Sequence, residues 1–82
     1  MQGEITLDMV KRRIRYLYEH HPDIHLNYHI HSKIQLENIP ATIVGVYSHL
    51  FVVSESGHGY DKQCTLKYTD VLIGQIEIAE LN

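Results

Sequence analysis

Apolar residues near the start of the chain recur at helical spacing. They lie three or four positions apart, which places them on one face of an α-helix: Leu7, Val10, Ile14 and Leu17. Thr6 is a residue type that caps helix N-termini through its hydroxyl group, and Pro22 disfavours helical geometry at the residue before it. The pattern therefore predicts one helix over about residues 6–20.

After Pro22 the apolar period changes to two. Apolar side chains alternate with polar ones, with Ile24, Leu26, Tyr28 and Ile30 in one set and His25, Asn27, His29 and His31 in the other. Successive side chains of a strand point to opposite faces, so the alternation predicts a strand with one buried and one solvated face. Three of the four polar positions are histidines, and we expect them to share the solvated face.

Short apolar runs separated by turn residues follow to the end of the chain. We expect strands over 33–37, 42–47, 50–53, 63–68 and 75–80, with a break at 38–40 and a looser loop over 54–62. Gly45 inside one run indicates a bulge or a sharp bend, and Ser48-His49 is short enough for a tight hairpin. Residues 69–73 are too few for a further full helix and are predicted to form one turn.

One helix followed by about five strands predicts a mainly β fold, either α+β or a small barrel with an N-terminal helix. Domains typically contain about 100–150 residues, and this chain has 82. We therefore expect a single domain over 1–82, with the helix at about 6–20 and a β-barrel at about 24–80.

Composition favours a cytoplasmic protein. The chain is 44% hydrophobic and 21% charged, as in ordinary globular domains. Its longest apolar run covers residues 50–53, far short of the ~20 residues of a membrane span, and the first residues lack a signal-peptide pattern. The lone Cys64 cannot close an intramolecular disulfide. We expect no membrane association.

Positive charge is concentrated in the predicted helix. The formal net charge is −3, but Lys11, Arg12, Arg13 and Arg15 form a basic cluster. Lys11, Arg12 and Arg15 fall on the outward helix face, where they could contact phosphates. Two alternatives stay open: a nucleic-acid surface, disfavoured by the acidic remainder of the chain, or a solvated face balanced by Asp8 and Glu19.

The histidines suggest a metal or a pH response. In a strand, His29 and His31 lie roughly 6.5–7 Å apart, so both could ligate one zinc, nickel or copper ion. With no carboxylate expected on that face, such a site would be open, and the alternative is a solvated polar face. Protonation of all seven histidines would carry the formal charge from −3 to +4 as the pH falls through about 6.5.

Catalytic motifs are missing from the sequence. Neither a G-x-S-x-G elbow nor a recognisable cysteine signature is present, and Gly57-His58-Gly59 lacks the third glycine of a dinucleotide-binding pattern. The six tyrosines are a residue type enriched at protein interfaces, although the pattern does not say which are exposed. We expect a non-enzymatic protein without a cofactor.

The second half of the chain resembles the Veg family, small cytoplasmic proteins of Gram-positive bacteria. The similarity lies in Gly45-Val46-Tyr47-Ser48-His49-Leu50-Phe51-Val52-Val53 and in Thr65-Leu66-Lys67-Tyr68-Thr69-Asp70-Val71-Leu72, and it covers roughly residues 41–78. It implies an SH3-like or Sm-like barrel with a short 3₁₀ turn over 68–72. Family members tend to carry a Gly-rich, basic hairpin after the first strand, and here His29-Ile30-His31-Ser32-Lys33 stands in its place, so the resemblance is to a divergent member.

The resemblance also implies a function. The family is connected with stimulation of biofilm formation, proposed to act by antagonising a repressor of matrix genes, so we expect a regulator that binds a transcriptional repressor. The residues assigned to partner binding are Lys11, Arg12, Arg15, His25, His29 and His31. Direct nucleic-acid binding by an Sm-like surface and a metal- or pH-responsive role are the alternatives, and pairing of strand edges into a homodimer stays open.

Overall fold

An N-terminal helix and five antiparallel strands form the fold in the computed structural model, which describes residues 6–30, 33–56 and 61–81. This confirms the predicted mainly β class. The elements are α1 (Leu7–His20), β1 (Asp23–Ile30), β2 (Lys33–Val46), β3 (Leu50–Glu55), β4 (Lys62–Lys67), α2 (Tyr68–Leu72), β5 (Ile76–Ile78) and a 3₁₀ turn (Ala79–Leu81).

Helix α1 begins where the sequence predicts. The Met9 amide donates a hydrogen bond to the Thr6 hydroxyl oxygen, with 3.3 Å between nitrogen and oxygen. This satisfies one of the amide groups that a helix N-terminus leaves without a partner. Asp8 lies in the first turn and pairs with Arg12 at 2.9 Å. Among the described residues, neither helix combines the length and apolar composition needed to cross a membrane.

The strands form one sheet in the order β4-β3-β2-β1-β5, and every neighbouring pair is antiparallel. β4 and β5 lie at the two ends of this order, and no strand pairing joins them within the described ranges. Closure into an SH3-like or Sm-like barrel therefore stays a prediction.

Strand β2 corrects one expectation. The predicted break at 38–40 does not occur, and the two expected strands are one strand from Lys33 to Val46. Asn38 has a φ of 58°, in the left-handed region that asparagine tolerates better than most residues. The pairing with β1 shifts register around this residue, so β2 absorbs the irregularity as a bulge and continues.

The core lies between the sheet and α1. Val10, Ile14 and Leu17 of α1 are buried, as the helical spacing predicts. The sheet supplies Ile24 and Leu26 from β1, followed by Ala41, Ile43, Phe51, Val53, Leu66, Ile76 and Ile78. Tyr68 of α2 is 2% exposed, and its ring stacks on Phe51 with 5.4 Å between centroids.

The pattern predicts one turn over 69–73 and the family resemblance implies a 3₁₀ turn over 68–72; the structure has a five-residue α-helix, α2, at this place, so the 3₁₀ expectation is wrong. The amide of Ile73 donates to the Thr69 carbonyl at 3.0 Å, which is the i to i−4 bond of an α-helix. Gly74 ends it with a φ of 87°, a conformation that glycine adopts without steric cost. The last strand is shorter than expected because the chain turns into the 3₁₀ conformation at Ala79.

Candidate functional site

A groove of about 540 Å³ lies between α1 and the loop that joins β2 to β3. We call it the basic groove, because three of the residues that line it are cations. Its described lining is Asp8, Lys11, Arg12, Arg15, Val46, Tyr47, Ser48 and Tyr68. The three cations predicted to bind a partner thus line one cavity.

Helical spacing explains why α1 presents these cations together. Positions 8, 11, 12 and 15 are three or four residues apart, so they form one stripe along the helix. The buried stripe of Val10, Ile14 and Leu17 lies beside it and holds α1 on the sheet. The apolar contacts therefore orient the basic stripe toward the β2–β3 loop.

The opposite wall of the basic groove is the short loop over 47–49. The Tyr47 amide donates to the Leu50 carbonyl at 2.9 Å and closes the hairpin. Gly45 lies beneath the Tyr47 ring, where a Cβ would come within 2.8 Å of the Tyr47 hydroxyl oxygen. Glycine thus lets the Tyr47 ring lie close to the strand, and the expected irregularity at Gly45 is confirmed by a register shift between Ile43 and Gly45.

The charges of the basic groove are unevenly compensated. Asp8 is the one carboxylate among its described lining residues, and Arg12 engages it at 2.9 Å. Lys11 and Arg15 have no carboxylate within 4 Å among the described residues. The Lys11 Nζ atom lies 5.8 Å from the centroid of the Tyr68 ring, close enough for a cation–π interaction. Lys11 and Arg15 are therefore the cations available to an anionic ligand.

Tyr68 forms the floor of the basic groove. Its hydroxyl donates to the Tyr47 carbonyl at 2.7 Å. Burial raises the pKa of the Tyr68 hydroxyl, against the opposing influence of this hydrogen bond and of the Arg15 charge. The hydroxyl therefore stays protonated and keeps the loop attached to α2.

Sequence reasoning missed Tyr47 and Ser48 as members of this site. Both lie in a segment that predicts a tight hairpin and carries part of the family resemblance, and neither feature points to a binding site. Tyr47 is 58% exposed, a large exposure for an aromatic side chain beside three cations. The one available signal was the cluster of aromatic and hydroxyl residues at a tight turn, which by itself is also typical of a purely structural loop.

The histidine face is not part of the basic groove. His25 and His29 lie on β1 as the alternation predicts, but their partners are carboxylates near the C-terminus. The His25 ring Nδ1 is 2.7 Å from Glu80 Oε2, and its amide donates to Glu80 Oε1 at 2.8 Å. His29 Nε2 is 3.3 Å from Glu77 Oε1.

These contacts correct the expectation that no carboxylate would lie on this face. The sequence separates the partners by about fifty residues, and only the pairing of β5 with β1 brings them together. Hydrogen bonds from Asn27 and His29 lower the pKa of Glu77. Burial alone would raise the pKa of Glu80, but the hydrogen bonds from His25 lower it.

A metal site on this face is not assembled by the described residues. They contain no group of three or more His, Cys, Asp and Glu side chains placed to hold a metal ion. His31, the second predicted ligand beside His29, lies outside the described residues. The pH response of the histidines stays a prediction.

A buried polar cluster lies at the far end of β3. The Tyr28 hydroxyl donates to Glu55 Oε2, and Glu55 is 4% exposed. Burial, and after it the charge and hydrogen bond of Glu55, raise the pKa of the Cys64 thiol, which keeps it protonated and a weak nucleophile. The predicted strand ends at Val53 and places Glu55 in a loop, but β3 extends to Glu55, and the alternation of Phe51, Val53 and Glu55 puts this carboxyl on the buried face.

No protein-family model matches this chain, and no curated protein matches it either. The resemblance to the Veg family therefore stays a prediction that rests on the residues quoted above.

Proposed function

We propose that this protein is a non-enzymatic binding module whose basic groove docks an acidic segment of a regulatory protein. The observation that carries the proposal is the convergence of Lys11, Arg12 and Arg15 with the exposed Tyr47 in one cavity. The chain as a whole has a net charge of −3, so the positive charge is local. A local cationic site in an acidic protein selects for short anionic segments, because the rest of the surface repels extended polyanions.

The chemistry of the lining supports binding rather than catalysis. The described groove residues include no histidine and no cysteine, and their one carboxylate is held by Arg12. Arginine and lysine with an exposed tyrosine are residue types that anchor protein interfaces.

The identity of the partner is proposed from the resemblance to the Veg family. On that basis the partner is a cytoplasmic transcriptional repressor, and the protein modulates gene expression connected with biofilm formation. The binding surface is Lys11 and Arg15, with Arg12 held by Asp8. The resemblance does not identify which surface the family members use. The basic groove is therefore proposed as the binding surface from its lining residues alone.

An affinity capture with matched variants tests the proposal. The wild-type chain, carrying a tag without histidines, is used to capture proteins from nuclease-treated cytoplasm. The Lys11→Glu/Arg15→Glu variant reverses the two available cations. Lys67→Glu is the control, because it reverses a charge on β4 outside the groove. Mass spectrometry identifies the captured proteins.

We expect a transcription regulator with an acidic segment to be captured by the wild type and by Lys67→Glu, and to be lost with the double variant. Binding is then measured with the purified regulator. Equal capture by all three chains, with unchanged melting temperatures, would exclude the groove as the docking site.

Direct nucleic-acid binding is the second candidate, and the exposed Tyr47 ring favours it. Aromatic side chains beside cations stack on the bases of single strands. This candidate predicts that the affinity for an oligouridine falls linearly with the logarithm of salt concentration and that Tyr47→Ala weakens it. Absence of binding at low salt would exclude it and leave the protein partner.

A further inference from the structure

A second groove, of about 320 Å³, lies on the other side of α1. We call it the β5 groove. Its apolar lining consists of Val10, Val71, Leu72, Ile76, Ile78 and Leu81, and its charged or titratable lining residues are Arg13, His29 and Glu77. Ile73 lies next to this lining in sequence and is 65% exposed. The volume is at the lower end of the range of roughly 300–1,000 Å³ for ligand pockets.

The edge strand β5 lines this groove with Ile76 and Ile78. β5 is the last strand in the order, and β1 is its one neighbour among the described strands. The amide of His29 donates to the Gln75 carbonyl at 2.9 Å, while the Gln75 amide donates to the Asp70 carbonyl instead. The bond from His29 sets the phase of the ladder, in which Asn27 and Glu77, two positions on, are a hydrogen-bonded pair. Antiparallel ladders alternate bonded and non-bonded pairs. The backbone groups of Ile76 and Ile78 therefore point away from β1.

Outward-pointing backbone groups beside an apolar groove are the features that accept an added strand. The added main chain bonds to the edge, and alternate side chains enter the pocket. Ile76 and Ile78 serve both purposes here, because their side chains line the groove while their backbone groups form the edge.

The charges at the groove favour an acidic residue in the added strand. Glu77 is already bonded to Asn27 and His29, and Glu80 to His25. Arg13 makes no ion pair with any described residue, although it lines both this groove and a smaller cavity that Tyr16 and Glu80 also line. Arg13 is thus the groove charge that a partner carboxylate can pair with.

We propose that the β5 groove binds an extended peptide segment of another protein, which adds to the β5 edge as a sixth strand. An apolar side chain of the segment fills the space beneath Val71 and Leu72, and an aspartate or glutamate pairs with Arg13. This surface is separate from the basic groove, which lies across α1 and shares no lining residue with it.

Amide NMR with two heptapeptide pools tests this proposal. In both pools threonine alternates with valine or isoleucine. At one position whose side chain points toward the β5 groove, the acidic pool carries aspartate or glutamate and the basic pool carries lysine or arginine. The probe signals are the Ile76 and Ile78 amides of the labelled protein. Two further acidic pools carry N-methyl groups on alternate backbone amides. In one pool the methylated amides point to one edge of the extended peptide, and in the other pool they point to the opposite edge.

We expect the acidic pool to shift both amides saturably and the basic pool to leave them unchanged. Arg13→Glu should lower the affinity for the acidic pool by about tenfold or more, as loss of a charge-assisted hydrogen bond implies. The same variant should bind the basic pool, which the wild type does not. The control variants Lys67→Glu and Arg15→Glu should bind the acidic pool and fail to bind the basic pool, as the wild type does. N-methylation of the peptide edge that bonds to β5 should abolish binding, and N-methylation of the opposite edge should leave binding unchanged.

Four results would overturn the proposal, the first three of which concern the peptide pools. These three are absence of a saturable shift at both amides, equal binding of the two pools, and equal loss with N-methylation of either edge. Concentration-dependent shifts of the same amides without peptide would assign the edge to a second copy of the chain and also overturn it. None of these results affects the basic groove, which is tested through Lys11 and Arg15.

Discussion

The Tyr68 hydroxyl donates a 2.7 Å hydrogen bond to the Tyr47 carbonyl, twenty-one residues earlier in the chain. The bond joins the first residue of α2 to the loop between β2 and β3. Because Tyr68 is buried against Phe51, its position is determined by the core. The core thereby determines where the loop wall of the basic groove lies.

Tyr68→Phe should lower the free energy of unfolding by about 1–2 kcal/mol, because it leaves the Tyr47 carbonyl without this donor while keeping the ring. Urea unfolding measures the change. Tyr16→Phe is the matched control, since it removes a hydroxyl from an exposed ring and should cost only a few tenths of a kcal/mol. Equal effects of the two variants would show that the hydrogen bond does not stabilise the loop.

Tyr28→Phe should lower the free energy of unfolding by about 1–3 kcal/mol at neutral pH, because it removes a donor from the buried carboxyl of Glu55. Burial, followed by Glu55, also raises the pKa of Tyr28 above its ordinary value of about 10. The unfolded chain then ionises first, so the stabilisation is complete below pH ~10 and declines as the pH rises further.

Unfolding of the wild type and Tyr28→Phe is therefore compared at neutral pH and across the alkaline range. The wild type should lose more stability than the variant above pH ~10. Parallel alkaline profiles would contradict the assignment of this pKa shift to Tyr28.

Glu80→Gln should reduce the acid sensitivity of the fold. The pKa of Glu80 is lowered in the folded state, although burial opposes the shift, because His25 donates to the carboxylate. The stabilisation is therefore complete above the ordinary glutamate pKa of about 4.3 and is lost as the pH falls through the lower folded value. At neutral pH we expect the variant to be less stable by about 1 kcal/mol.

Urea unfolding from neutral pH to about pH 3 measures both effects, and the curves of wild type and Glu80→Gln should converge at the acid end. Glu37→Gln, at an exposed position, is the control and should parallel the wild type. A difference between Glu80→Gln and wild type that does not change with pH would contradict the role of His25.

Asn38→Ala should destabilise the protein by about 1 kcal/mol, because alanine pays a steric cost at a φ of 58°. Asn38→Gly should cost less, since glycine adopts this conformation freely. The amide of residue 38 donates to Asn27 Oδ1 at 2.7 Å, and both variants keep that donor. Chemical denaturation of the two variants is the measurement, and a glycine variant less stable than the alanine variant would be the contrary result.

Local patterns predicted the helix and most strands correctly. The buried positions of α1 and the alternation in β1 follow from the 3.6- and 2-residue periods, which depend only on neighbouring residues. Thr6 and Pro22 marked the ends of α1 for the same reason, because capping and proline sterics act within one turn. The basic stripe of Lys11, Arg12 and Arg15 was also visible, since helical spacing alone places these side chains together.

The continuity of β2 was not predictable in this way. Asn38 and Pro40 are turn residues by type, and local propensity favours a break there. Pairing with both β1 and β3 holds the strand together instead. The backbone amide of Asn38 donates a hydrogen bond to the Asn27 side chain, and this bond stabilises the bulge.

The sequence by itself determined the periodic elements, their caps and the basic stripe of α1, because these depend on residues within a few positions of one another. Tertiary structure alone decided that His25 meets Glu80, that Tyr28 meets Glu55, and that grooves form on both sides of α1. Each of these contacts joins residues far apart in the chain. Their geometry depends on strand order and register, which no local pattern specifies.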